Sequence, residues 1–596
     1  MVSIIGLFEV YSPDRSWLTK ERLLRELSNP MIVVYIGLLL FFLVIVGGPL
    51  SFLIGASFWS TDPFTPGGYF TVSNYVDTYI NPSTYTLWVN TLIIALGTTA
   101  WANLLGVGMA WVIARTNTPF RRFLEGVIIL PYVVPSYLLA VAYIFLLSPR
   151  IGSINKLLDP AIGVTLDIYS FWGIVFVKGI SYAPLCFLIT VAAFKNFDPS
   201  LEDAARMSGA GVIETLRTVT LPMLAPAVTA SLLLIFTKGL ETFSVPAFLG
   251  LPASPPIFVF STRIWQALSV DQPANYGLAT ALSTTLILVA GTGLLIQRRA
   301  TGMQEKFQTI TGQGFNPRRF DLGPVRWVVF LLAVVLLLLS IVLPFVILFI
   351  ASVSSIWFGE FFFASESVRF TLDNYRTLFG LSDFFTALTN SFLLATVGAF
   401  FGMLFASLSS YFVLKVDADE SRLISSTSEL MDQLTYVPAA VPGIVLAVGF
   451  LWFVLTVPSF GIYGSLWLLG LAYIARQLPF ATRTTHGAIA QVGEELEDQA
   501  RVAGAGWLRT IKDIILPVIN KNFMAGYLLL FMSMMRDLST SILLYSNESL
   551  VLAVMIFNLK LVGDYEGLAA LGVVLIVIVL SVMAFVKYVL GVSITR

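Results

Sequence analysis

The sequence predicts an all-α polytopic membrane protein of about twelve transmembrane helices in two parallel homologous halves of six. Three observations predict it. The 596-residue chain is 57% hydrophobic but only 12% charged, with a mean hydropathy of +0.85; soluble chains carry roughly 25% charged residues. Apolar runs of about 20 residues, the length that spans a bilayer, recur throughout. The chain also repeats itself: Phe70-Thr71-Val72-Ser73-Asn74-Tyr75 returns as Phe370-Thr371-Leu372-Asp373-Asn374-Tyr375. Asn90-Thr91 returns at the same offset as Asn390-Ser391. Six spans per half is an even number, so both halves share one orientation, and a pathway is expected at their interface.

The candidate spans of the first half are 31–58, 87–114, 122–147, 168–194, 222–250 and 277–297. Those of the second are 327–356, 385–414, 433–457, 463–483, 517–545 and 566–590. Pro131, Pro135, Pro184, Pro246, Pro438, Pro442 and Pro479 are expected to kink or break several of them. Residues 1–30 read as a cytoplasmic N-terminal segment, 31–297 as the first half, 298–326 as a polar linker and 327–596 as the second half. The N-terminal segment carries Arg15, Lys20, Arg22 and Arg25. The apolar run from Met31 is about 27 residues long, more than a cleaved signal's core, and reads as a retained helix.

Residues 60–85 contain no Lys or Arg, whereas Arg115, Arg121 and Arg122 lie between spans two and three. The linker adds Arg298, Arg299, Lys306, Arg318 and Arg319. The positive-inside rule then puts both termini on the cytoplasmic side. Arg150, Lys156, Arg369 and Arg376 fall on the outer side and weaken the bias without reversing it.

One polar segment occurs twice, each time after the fourth span of its half. The first copy reads Asp203-Ala204-Ala205-Arg206-Met207-Ser208-Gly209-Ala210 and closes on Leu221-Pro222. The second reads Asp498-Gln499-Ala500-Arg501-Val502-Ala503-Gly504-Ala505 and closes on Leu516-Pro517 at the same spacing. Asp198-Pro199 is an N-cap and first-turn signal. Glu202, Asp203, Glu494 and Glu495 suit a helix N-terminus. Gly209 and Gly504 supply the left-handed residue that ends a helix. The expected product is a helix, a tight turn and a second short helix, lying across the membrane surface. Ala204, Ala205 and Ala210 permit close approach by another protein. An ordinary amphipathic interfacial loop is the bland alternative, but two copies at matched spacing favour a docking surface used twice.

Ionisable residues inside spans are costly and are candidates for function. Lys238 and Glu241 share a helical face in span five, and Arg536 and Asp537 fall in span eleven. Aligned on Pro222 and Pro517, Glu241 and Arg536 are equivalent. They are candidates to line or gate the path, with structural ion pairing as the alternative. Lys178 and Arg476 sit in spans four and ten; Lys178 reads as facing a water-filled cavity or, slightly favoured, as a snorkelling surface residue. His486 reads as a hydrogen-bonded structural residue, and Cys186 as a small packing residue.

With one Cys and one His, a Cys/His zinc site and an internal disulfide are out of reach. Zero formal net charge gives nucleic-acid binding no support. No G-x-x-x-x-G-K-[ST] loop occurs, so no catalytic residue and no ATP hydrolysis are expected on this chain. The longest outer loops, about 30 residues, leave capture of a dilute solute to a separate protein.

The duplicated segments resemble the EAA loop of binding-protein-dependent permeases, the membrane subunits of type I ABC importers. Asp replaces Glu in both copies and Gln499 replaces one Ala, while both glycines and both Leu-Pro pairs match. The resemblance implies coupling segments at 199–221 and 494–516, with contacts from Asp203, Ala204, Ala205, Gly209, Ala210, Asp498, Ala500, Gly504 and Ala505. It implies two ABC ATPase subunits at the cytoplasmic face, which carry the ATP and Mg, and an extracytoplasmic solute-binding protein. It further implies alternating access in a prokaryotic inner membrane, with lipid around the spans. Residues 244–253, 276–281 and 535–545 resemble fused ferric-iron-type permeases, which implies ferric iron or a ferric chelate as cargo. Thiamine, phosphonate, polyamine or another small charged solute is the alternative within that class. An ion-coupled secondary transporter, or a scaffold or receptor without transport, are the alternatives outside it; neither explains the duplicated loops.

Overall fold

The computed structural model describes residues 29–196, 200–305, 319–357, 359, 370–416, 421–457 and 461–589. The Asp198-Pro199 cap, most of the N-terminal segment, Lys306 and Arg318 of the linker, and Arg369 lie outside them. Among the described residues the regular structure is helical, with isolated bridges in place of strands. Nine helices there are long and apolar enough to cross a membrane. Two bent pairs, Arg121–Tyr132 with Ser136–Leu147 and Leu423–Ala440 with Gly443–Thr456, correspond to spans three and nine. The tenth expected span is Leu466–Ile489, long enough at 24 residues but too polar for the same standard because of Arg476, Arg483 and His486.

Prolines act in three ways. Pro135 and Pro442 stand as N-caps where the chain turns by 98° and 116°. Pro184 and Pro479, among the prolines expected to kink or break several spans, lie inside continuous helices and break neither. Four π turns, Leu43–Gly47, Leu216–Thr220, Leu338–Val342 and Ile511–Ile515, each end two residues before Pro49, Pro222, Pro344 or Pro517. A proline cannot donate to the carbonyl four residues back, and its ring crowds that carbonyl. The residue before it reaches one further instead, as when the Gly48 N–H donates to the Leu43 carbonyl. The helix survives with its register slipped by one.

Spans five and eleven are offset from expectation. They run continuously over Ile213–Leu240 and Trp507–Met535, and both end about ten residues earlier than their apolar runs. Glu241 and Arg536 occupy the two C-cap positions. Past them the chain folds into a π turn at Pro246–Gly250 or a 3₁₀ turn at Ser541–Leu543. Apolarity continues beyond these ends, but helical hydrogen bonding does not.

The chain divides into two compact units. The first comprises Met1–Tyr75, Asp383–Met555 and Val579–Arg596; the second comprises Val76–Ser382 and Ile556–Ile578. Each therefore combines one half's first helix with spans from the other half. Within the first unit, the Tyr35 hydroxyl lies 2.7 Å from Thr427 Oγ1, and its ring meets Phe412 edge-on at 5.4 Å. A Cβ on Gly449 would stand 2.7 Å from the Pro49 carbonyl oxygen, so this glycine allows two backbones to touch. Within the second unit, Ala333, Leu337 and Ile341 complete a buried cluster with Met109, Ile113, Phe187 and Phe194. The Tyr143 hydroxyl donates to the Leu339 carbonyl at 2.6 Å.

The repeated motifs are clips. Asn74 Nδ2 donates to the Ser57 and Trp59 carbonyls, and Asn374 Nδ2 donates to those of Ser352 and Ser354. Tyr75 and Tyr375 add hydroxyl bonds to Ser57 and Ser352, each at 2.8 Å. Each motif ties off the end of a first span. Asn90 and Asn390 likewise donate to Phe258 and Leu550 carbonyls at 2.9 Å, anchoring the helices Phe260–Ser269 and Leu552–Val562. Within the second unit the end of the linker is fastened as well. Phe320 pairs with Thr116 in a parallel bridge, and Asn117 Nδ2 donates to Asp321 at 2.6 Å. The Gly323 N–H and Asn117 hold the Asp321 carboxyl below its ordinary pKa.

Candidate functional site

Both duplicated segments fold alike. Each opens with a short helix, Ser200–Met207 or Glu494–Val502, with acidic residues in its first turn. Gly209 and Gly504 follow with φ of +93° and +83°. The Ala210 N–H donates to the Ala205 carbonyl at 3.1 Å, and the Ala505 N–H to that of Ala500 at 2.9 Å. These are the six-to-one bonds of a Schellman turn, which needs a residue without Cβ strain at the glycine position. The second arm differs from expectation. Val212–Thr215 and Trp507–Thr510 are not separate surface helices; each passes through its π turn into the long helix that follows. The π turn absorbs Pro222 or Pro517, so no break is needed.

Ala204, Gly209, Asp498 and Gly504 are exposed. Asp203, Ala205, Ala210 and Ala505 are half-buried, and Ala500 is buried. Ala500 thus lets the segment lie close to its own bundle. Exposed apolar side chains sit at matched positions: Leu201 with Leu496, Met207 with Val502, and Ile213 with Leu508. Met207 and Val502 are each 90% exposed. Exposed Glu214, Arg217, Arg509, Lys512 and Asp513 surround them, which marks a face in contact with water. A shallow depression lined by Gly211, Ile213, Glu214, Arg217 and Thr218 adjoins the first copy.

Sequence reasoning missed how these helices are attached. Glu202 and Glu497 are buried, and each pairs with the basic residue that ends a 34-residue helix. Arg115 Nη2 stands 3.3 Å from Glu202 Oε2, and Lys415 Nζ stands 3.0 Å from Glu497 Oε1. The signal was in the sequence, since Glu202 and Glu497 hold the same position before their glycines. Their partners were not, because they lie far away in the chain.

The charges near spans five and eleven sort differently from one another. Lys238 Nζ contacts Glu241 Oε2 at 2.8 Å, and Lys238 remains partly exposed. Among the described residues Glu241 Oε1 is buried with no hydrogen-bond partner. Arg536 is half-buried. Asp537 lies beyond the helix, in the turn, where its carboxylate receives Arg476 Nη1 at 2.8 and 2.9 Å. The same nitrogen reaches Ser539 and Thr540 hydroxyls at 2.6 and 2.7 Å. The Thr540 N–H and hydroxyl complete the carboxylate's shell at 3.0 Å each. Gly443 packs so close that a Cβ would collide with the Arg476 guanidinium.

Lys178 corrects the surface reading. It is buried, and its Nζ donates to the Tyr182 hydroxyl at 3.0 Å and lies 4.3 Å from that ring's centre. The aromatic neighbour one turn away gives the ammonium a polar tip and a π face, so it has no need of the membrane surface. His486 Nδ1 lies 2.8 Å from Ser410 Oγ. Cys186 is fully buried beside Ala102 and Ile235. Lys560, which falls between two expected spans, is a further buried cation; its Nζ donates to the Ala247 carbonyl at 3.3 Å. Among the described residues, no three His, Cys, Asp or Glu side chains group to hold a metal.

The model of the family described as binding-protein-dependent transport system inner membrane component matches residues 102–351 and 422–590, most of the chain. The chain belongs to this family. This inner membrane component is similar to the ferric transport system permease protein FbpB of Actinobacillus pleuropneumoniae: 26% identical over 498 residues, 81% of this chain and 68% of the relative. It is 25% identical to the putative ferric transport system permease protein FbpB 1 of Haemophilus influenzae over 74% of this chain and 68% of the relative. With the Fe(3+)-transport system permease protein FbpB 2 of that organism it shares 23% identity over 81% of this chain and 86% of the relative. It is an integral membrane protein and the permease of an ABC importer.

Proposed function

We propose that segments 199–221 and 494–516 each dock one ATPase subunit at the cytoplasmic face of a prokaryotic inner membrane. The observation that carries this reading is the matched exposed apolar set at Met207 and Val502, presented by two identical turns on a water-facing surface. Exposed apolar groups with a polar surround mark protein contact sites. ATP and Mg belong to those partners, and no cofactor to this chain. Closure of the ATPase pair draws the coupling helices with it and alternates access to the path. A separate binding protein delivers the solute. The names of the relatives support ferric iron or a ferric chelate, ahead of thiamine, phosphonate or polyamine. Loop charge supports cytoplasmic termini.

Co-purification of the tagged chain from native membranes tests the docking. Wild type retains an ATPase; a Gly209→Asp, Gly504→Asp double variant loses it. Neither glycine has a neighbour within 4 Å of a Cβ position, so the change acts through φ and through charge on the docking face. Wild type without any ATPase would remove the reading. Any binding protein recovered alongside names the cargo class.

Lys238, Glu241, Arg536 and Asp537 are the proposed polar lining or gate of the path, Glu241 and Arg536 each standing at the end of its helix. Uptake by Glu241→Gln and by Arg536→Gln is expected to fall severalfold while assembly with the ATPase is kept. Unchanged uptake in both variants would assign these charges to structure alone.

A further inference from the structure

Each of the two coupling helices buries one carboxylate against the protein. In Ser200–Met207, Glu202 is the buried side chain among those described; in Glu494–Val502 the buried ones are Glu497 and Ala500. Glu202 meets Arg115 and Glu497 meets Lys415, at equivalent positions of the two halves. Arg115 and Lys415 are the last residues of Pro82–Arg115 and Ser382–Lys415. Helices of that length run about 51 Å, so these are full membrane crossings.

A basic residue at a helix C-terminus normally gains from the dipole while solvated. Here the cation is instead buried, the Arg115 side chain fully so. Burying two charges costs several kcal/mol per ion before their attraction returns it, and an apolar pair of equal volume commonly serves stability as well. Stability alone therefore gives no reason for the ion pair to occur twice. Directional attachment does. Each pair also gathers a second strand of its segment. Thr220 Oγ1 donates to Glu202 Oε1 at 2.7 Å, which closes the first segment at both ends on one carboxylate. Lys415 Nζ donates to the Val492 carbonyl at 2.7 Å, which fixes the approach to the second coupling helix.

We infer that Arg115 and Lys415 are positioning residues that clamp each coupling helix to the end of its half's second span. A displacement imposed on the coupling helix is then delivered to a membrane-crossing helix rather than absorbed in the loop. The inference rests on the docking reading above, and adds to it the route by which movement leaves the docking surface.

The test uses the full chain with Lys415→Met and Glu497→Met together. Both charges go and volume is kept, so the fold is expected to persist with an unchanged melting temperature. Two readouts separate the questions. Hydrogen exchange of amides 496–503 needs no partner, and is expected to speed on the order of tenfold in the variant, as a helix that opens locally does. In vesicles containing the chain with its co-purified ATPase, supplied with the co-purified binding protein, radiolabelled ferric citrate taken up per ATP hydrolysed is expected to fall about tenfold, a usual size for coupling between sites. A Lys415→Glu, Glu497→Lys exchange restores part of both signals. The inference is overturned if the double methionine variant exchanges and couples as wild type does. If wild type retains no ATPase, the docking reading fails, while exchange at 496–503 still decides whether the clamp exists.

Discussion

Replacing Asp537 with alanine lowers the melting temperature of the purified protein more than any other single change to the charged groups beside the spans. Asp537 is 7% exposed and compensates the Arg476 guanidinium at 2.8 and 2.9 Å. Removing it leaves a half-buried guanidinium facing the Ser539 and Thr540 hydroxyls. Breaking a buried ion pair from one side costs about 3–5 kcal/mol. The Thr540 N–H loses its acceptor at the same time, which adds to the loss. Asp537→Asn keeps an acceptor for Thr540 but not the charge, and falls between wild type and alanine. Thermal unfolding in detergent orders the three. If Asp537→Ala unfolds within about 1 kcal/mol of wild type, water already solvates Arg476 and the cluster is not structural.

The second large effect is at Gly106, with an internal control two residues away. A Cβ there would stand 2.5 Å from Cys186 Cβ and 2.6 Å from the Ala183 carbonyl oxygen. Neither atom is the tip of a flexible side chain, so Phe171–Asn196 must move away from Pro82–Arg115. Overpacking of this kind costs about 1–3 kcal/mol. Gly108 lies on the same helix, exposed, with nothing within 4 Å of its Cβ position. Alanine there gains about 1 kcal/mol in helix propensity. Gly106→Ala therefore melts lower than wild type and Gly108→Ala melts higher. Equal shifts of the same sign would mean that helix propensity, and not the contact at Cys186, sets both.

The features legible in the sequence are those written along it. A run of apolar residues announces a span wherever its partners are. Gly209 and Gly504 announce a left-handed turn because the requirement is local. The clips at Asn74 and Asn374 were visible as a repeat, although their acceptors were not. What stayed hidden depends on neighbours in space. Arg476 and Asp537 are 61 residues apart, and reading Asp537 with Arg536 followed chain order where the fold used another helix. Lys178 looked like a surface residue until Tyr182 and its burial were known. The ends of spans five and eleven at Leu240 and Met535 were not legible because hydropathy measures transfer to lipid and not backbone bonding.

The exchange of first helices has a consequence for how such a chain holds together. A polypeptide ending within the linker lacks the helix Val325–Ser352 that covers Met109, Ile113 and Phe194, while its own Pro30–Ser57 has no Phe412, Gly449 or Phe453 to lie on. One copy of the repeat is thus not a self-sufficient folding body. Carrying both halves on one chain makes this reciprocal covering of first helices intramolecular, so it does not depend on protein concentration.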